Sequence, residues 1–94
     1  MNRKSQAPRR EAILTTAARL IANDRQQVYG TPYQNFGRIA QLWSVILGRA
    51  ISRAEVALCM DAVKTARLIQ TPEDEDGWID KCGYSAIGGE LSAL

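Results

Sequence analysis

The chain has 94 residues, a formal net charge of +2 and no histidine. That length suggests one domain with a small core, and the charge is too low to argue for nucleic acid by itself. The missing histidine removes the usual general base and the usual metal ligand. Its two cysteines, Cys59 and Cys82, form no CxxC and read as reduced core residues.

Residues 1–94 read as a single all-α domain in which 1–8 is a flexible basic start carrying Arg3 and Lys4, with Arg9 and Arg10 just after. No apolar signal region follows, and nothing is long enough to span a bilayer. No membrane partner is expected. The first helix is predicted from about Pro8 to Gln27, with Ile13, Ala17, Leu20, Ile21 and Val28 on one side. Gly30 suits the left-handed turn that ends it. The second helix begins at Thr31-Pro32-Tyr33-Gln34, a capping box with proline in the first turn, and stops at Gly48. Its apolar face is broad and includes Phe36, Ile39, Trp43 and Ile46. The third helix opens on a second capping box, Ser52 to Glu55, and runs to Gln70 before Thr71-Pro72. The fourth starts in the acidic run Glu73 to Asp76, where carboxylates oppose the positive end of the helix dipole. Gly83, Gly88 and Gly89 lie inside it and suggest close helix approach or a break. Four amphipathic helices on short loops make a compact bundle.

Polar residues on inward faces are the informative feature. At 100° per residue, Arg67 falls among Val56, Met60 and Val63 on the third helix, with Lys64 beside it, while Glu55 and Asp61 point elsewhere. On the fourth helix Asp76 and Asp80 share a face with Gly83, Ile87 and Leu91, and Tyr84 sits at its edge. The expectation is that Asp76 and Asp80 meet Arg67 and Lys64 across the two helices, since an unpaired buried charge is costly.

Two readings follow. One is a salt-bridge network that fixes helix register. The other is a nucleotide pocket, with cations for phosphate, carboxylates for ribose hydroxyls or a base edge, and aromatic side chains for stacking. Candidate ligand-binding residues are Arg25, Tyr29, Lys64, Arg67, Asp76, Trp78, Asp80 and Tyr84. Trp43 and Trp78 also read as core residues, with Trp78 placed to line the mouth of the pocket. No catalytic or metal set is assigned, and no cofactor is expected. One 94-residue bundle can hardly enclose a dinucleotide-sized ligand, so pockets between subunits of a homo-oligomer are expected. DNA binding is not expected, because the basic start lacks a recognition helix.

The segments RQQVYGTPYQNFGRIAQLW (25–43), ISRAEVAL (51–58), KTARL (64–68) and DGWIDKCGYSAIGGEL (76–91) resemble a family of small bacteriophage and prophage proteins. The family in turn is distantly similar to MazG-like phage dATP/dGTP pyrophosphohydrolases, which hold Mg²⁺ with paired glutamates on one helix and an acid pair on the next. Only the acid pair has a counterpart here, in Asp76 and Asp80; the third helix offers Glu55 and Asp61 on different faces. The resemblance implies a phage protein at work in the host cytoplasm. The chain is also similar in style to small phage proteins that sequester cyclic or ADP-ribose-type immune signals and so block host defence. Sequestration of such a nucleotide is the leading expectation. The alternatives are an Mg²⁺-dependent pyrophosphohydrolase and a non-catalytic protein-interaction module.

Overall fold

A computed structural model describes residues 8–24 and 29–94. All the regular structure among them is helical. Helix α1 spans Arg9–Arg19 and runs on into a π-helical turn, Leu20–Asp24. Helices α2, α3 and α4 span Pro32–Leu47, Arg53–Gln70 and Glu75–Ser92. The first helix therefore changes hydrogen-bond register after Arg19, and the expected continuation over 25–28 lies outside the described residues.

Local chemistry sets the helix ends as expected. The Thr31 hydroxyl accepts from the Gln34 amide and the Gln34 side chain accepts from the Thr31 amide, both at 3.1 Å. Ser52 and Glu55 repeat the arrangement at 3.0 and 2.9 Å. Each cap satisfies amides that a helix start leaves unpaired. Gly48 ends α2 at φ +71°, a left-handed conformation that glycine adopts without strain. Thr71 caps α3 just before Pro72.

The scaffold is the antiparallel hairpin of α3 and α4. Helix α2 packs on α3, and α1 packs on α4. The main core gathers Phe36 and Ala40 of α2, Val56 and Ala57 of α3, and Leu91 of α4. Helix α4 is held from two sides, which explains Gly83 and Gly88. It stays unbroken, and a Cβ at Gly88 would stand 3.1 Å from the Ala57 side chain, while one at Gly83 would stand 3.2 Å from Ile21. Gly83 and Gly88 thus mark close approach, not a break, while Gly89 faces open space.

Three burial expectations are corrected. Cys59 is exposed, not a core thiol. Trp78 is 44% exposed and donates its indole N–H to the Pro72 carbonyl at 2.8 Å, closing the turn between α3 and α4. Val63 is 40% exposed, because the buried stripe of α3 runs along Val56, Ala57 and Leu68.

Candidate functional site

One cleft lies on the side of the hairpin that carries α1 and α2. It encloses about 110 Å³. Ala17, Leu20 and Ile21 form one wall, from α1 and its π-helical turn, and Phe36 and Ile39 of α2 form another. Met60 of α3 and Ile79, Gly83, Tyr84 and Ile87 of α4 make the floor. Tyr29 stands at the rim, half exposed, where its carbonyl accepts from the Arg38 guanidinium at 2.6 Å. Tyr84 packs against Phe36, with ring centroids 6.3 Å apart. The lining is mostly apolar, and its polar side chains besides the two tyrosines are Asn35 and Asp80. The π-helical turn has a direct consequence here. Such turns shift the side-chain register inside a helix, and two of its residues, Leu20 and Ile21, face the cleft.

The ion pair that the sequence predicts is half present. Lys64 Nζ lies 2.9 Å from Asp80 Oδ2, with side chains 16% and 23% exposed. Arg67 and Asp76 do not join it. Both are exposed, and neither takes part in an ion pair among the described residues. The correction has a physical reason. A helical projection gives the angle of a residue but not its height along the axis. Arg67 falls in the last turn of α3 and Asp76 in the first turn of α4, so each meets a favourable helix-dipole end in water. At that height the inward contact is Leu68 against Gly77, where an added Cβ would come within 2.8 Å of the leucine. Trp78 does not line the cleft. Arg25 lies outside the described residues. Of the expected site residues, Tyr29, Asp80 and Tyr84 come together on the cleft lining, and Lys64 stands behind Asp80.

Sequence reasoning missed a second, crossed pair. Lys81 Nζ donates to Asp61 Oδ1 and Oδ2 at 3.0 and 3.1 Å and also to the Thr65 hydroxyl. In the first pair α3 supplies the cation; in the second α3 supplies the anion. Asp61 and Lys64 are three apart on α3, and Asp80 and Lys81 are adjacent on α4. That spacing was a usable signal once the helices were taken as antiparallel. Swapped signs penalise a slipped register, because sliding one helix brings like charges together. Asn35 was also missed. It lies in the resembling segment 25–43 but carries no charge to attract notice.

The helical hairpin with its one-sided cleft defines a small all-α domain. Residues 12–92 match a family described as a domain of unknown function, DUF6378, and the chain belongs to that family. It is 41% identical over 75 residues to the Gene 55 protein of Mycobacterium phage D29, covering 80% of this chain and 50% of the relative. It is 35% identical over 77 residues to the Gene 55 protein of Mycobacterium phage L5, covering 81% of this chain and 49% of the relative. The chain thus spans about half the length of the curated relatives it matches. No solved structure matches it.

The donor set for magnesium does not fit. No three His, Cys, Asp or Glu side chains among the described residues gather closely enough to hold a metal ion. Asp80 and Asp61 each face a lysine, where a divalent site would need further carboxylates. No helix of the described residues is long and apolar enough to cross a membrane.

Proposed function

We propose that the chain is a phage-encoded nucleotide-binding protein that holds a signalling nucleotide away from host defence, with the base seated in the cleft. The observation that carries the reading is an apolar, tyrosine-lined cleft with Asp80 on its lining and Lys64 behind that carboxylate. Its size decides which part of a nucleotide enters. A dry cavity of roughly 150 Å³ takes a benzene ring, and drug-sized ligands need about 300–1,000 Å³. At about 110 Å³ the cleft falls below both, so it takes part of one ring system, with the rest in its open mouth, and not a dinucleotide. Tyr84 and Tyr29 supply aromatic surface, Asn35 and Asp80 supply hydrogen-bonding groups for the base edge or ribose, and Lys64, behind Asp80, fixes the orientation of that carboxylate. Neither Lys64 nor Arg67, both expected to contact phosphate, lines the cleft, so the phosphate stays outside it. A larger cyclic or ADP-ribose-type ligand would bridge two copies, in keeping with a homo-oligomer in the host cytoplasm. Magnesium-dependent hydrolysis has less support, since among the described residues Asp80 is the only carboxylate side chain on the cleft lining and a divalent site gathers several oxygen ligands.

Titration calorimetry against mononucleotides, cyclic dinucleotides and ADP-ribose-type ligands tests this. The expected result is binding of at least one of them, weakened more than tenfold by Tyr84→Ala, on the order of 1.4 kcal/mol. Failure of a folded protein to bind any of the panel overturns the reading. Turnover of a nucleotide with Mg²⁺, lost in Asp80→Asn, establishes the pyrophosphohydrolase instead.

A further inference from the structure

A second face of α2 borders an open hollow of about 650 Å³, closed on its other sides by the start of α3 and the end of α4. It shares no lining residue with the cleft. Among the described residues its one charged side chain is Arg53, and the fold holds that arginine in place. The guanidinium lies 3.7 Å over the Tyr33 ring, a cation–π contact. Its Nε–H donates to the Tyr33 carbonyl at 2.8 Å. Gly37 leaves the room it needs: a Cβ there would stand 2.6 Å from Nη2 and 2.9 Å from both Cζ and Nε.

An arginine fixed in this way commonly faces a carboxylate, and Arg53 faces none. No carboxylate side chain among the described residues lines the hollow. Glu55, in the same helical turn, is committed elsewhere. It accepts from the Ser52 amide at 2.9 Å and pairs with Arg49 at 3.2 Å. Neither Nη atom of Arg53 has a hydrogen-bond or ion-pair partner among the described residues. Tying α2 to α3 takes the Nε–H and the guanidinium face, and leaves the Nη donors unused. Arg53 is partly exposed, so an anion can reach those donors from solvent.

We infer that Arg53 is the anion-binding centre of a second small-molecule site. The carboxylate or phosphate group of a small organic acid takes the Nη fork, whose planar geometry matches two oxygens side by side. The rest of the ligand lies on the apolar wall of Ala40, Ile51 and Leu94, with the Gln41 amide beside it. The volume suits such an occupant, since small-molecule sites enclose roughly 300–1,000 Å³ and hold a few placed polar groups among apolar ones. The Tyr33 ring and carbonyl fix the fork before the ligand arrives, so little side-chain freedom is lost on binding. This inference does not depend on what the cleft binds.

Proton–nitrogen NMR of the full chain tests this, with the Arg53 Nε–H and the residue 37 amide as reporters. The probes are phenyl phosphate, benzoate and the neutral benzyl alcohol. At least one acid is expected to shift both reporters with a Kd of about 1–10 mM, the range for ligands this small, and the tighter acid names the oxyanion preferred. The alcohol is expected to leave them unmoved. Arg53→Lys keeps the charge but loses the fork, and should weaken the tighter acid by about fivefold or more with unchanged helical circular dichroism. Gly37→Ala provides the independent check. It favours the helix and displaces a flexible side chain, so the fold is kept while the guanidinium leaves its seat and the acid is again weakened. Acids that move only the cleft amides of Asn35, Gly83 and Tyr84 overturn the inference, as does an equal response to the alcohol. A folded Arg53→Lys or Gly37→Ala protein that binds the acid like the wild type also overturns it.

Discussion

On one side of the α3–α4 hairpin, α1 and α2 roof over a cleft whose lining carries Asp80, backed by Lys64, and a tyrosine. On the other, the same two helices present a stripe of aliphatic side chains and a groove lined largely by small ones. The hairpin is thus covered where α1 and α2 pack against it and open where no other helix among the described residues lies over it. The difference teaches that charge placement in so small a domain follows the neighbours each residue meets. Asp61, Lys64, Asp80 and Lys81 all face the opposite helix, and the outward stripe of α3 has none of them.

Core substitutions give the widest separation between the two sides. Phe36→Ala removes a buried ring from the centre of the core and should cost about 3–5 kcal/mol. Leu58→Ala, on the open side, should change monomer stability by less than about 0.5 kcal/mol. Urea denaturation measures both. Comparable losses would show that the open face is packed within the monomer.

The two crossed pairs sharpen the comparison further. Asp80→Ala strands the lysine of the less exposed pair and should cost about 1–3 kcal/mol, below the range for fully buried pairs. Asp61→Ala breaks the more exposed pair, whose side chains are 24% and 34% accessible, and should cost under about 1 kcal/mol. Thermal unfolding ranks them, and the reverse order would refute the burial argument.

The smallest effect concerns acid. The backbone N–H of Ser52, then the Arg49 guanidinium, holds the Glu55 carboxyl below its ordinary value of 4.5. A carboxyl depressed on folding contributes stability that is present above its unfolded value and lost as pH falls through its folded value. Glu55→Gln keeps a side-chain acceptor for the Ser52 amide but gives up the charge. Its stability should converge on that of the wild type as pH falls through the depressed value. A difference that stays constant down to acid pH would contradict the assignment.

Much of the fold was legible because short-range chemistry wrote it. Both capping boxes, the left-handed stop at Gly48 and the stop before Pro72 stand where the residues put them. The π-helical turn was not legible, since nothing in Leu20–Asp24 differs in kind from the helix before it. The site was half legible. Lys64 with Asp80, and Tyr84 at the edge of their face, follow from helical angles alone. Arg67 and Asp76 share those angles but sit at helix ends, and height along an axis depends on how the helices are paired. Cys59 was misread because apolar character was taken as burial, whereas α3 carries apolar residues on two faces and has covering helices for only one. Trp78 was misread because it sits in the first turn of α4, where its indole N–H reaches back to the Pro72 carbonyl.

The most direct test of the central claim is a proton–nitrogen NMR titration of the labelled chain with the nucleotide that calorimetry finds. The account predicts shifts in the backbone amides of Asn35, Gly83 and Tyr84 and little change at Arg67 and Asp76. Shifts concentrated at residues 67 and 76, with the cleft amides unmoved, would contradict it.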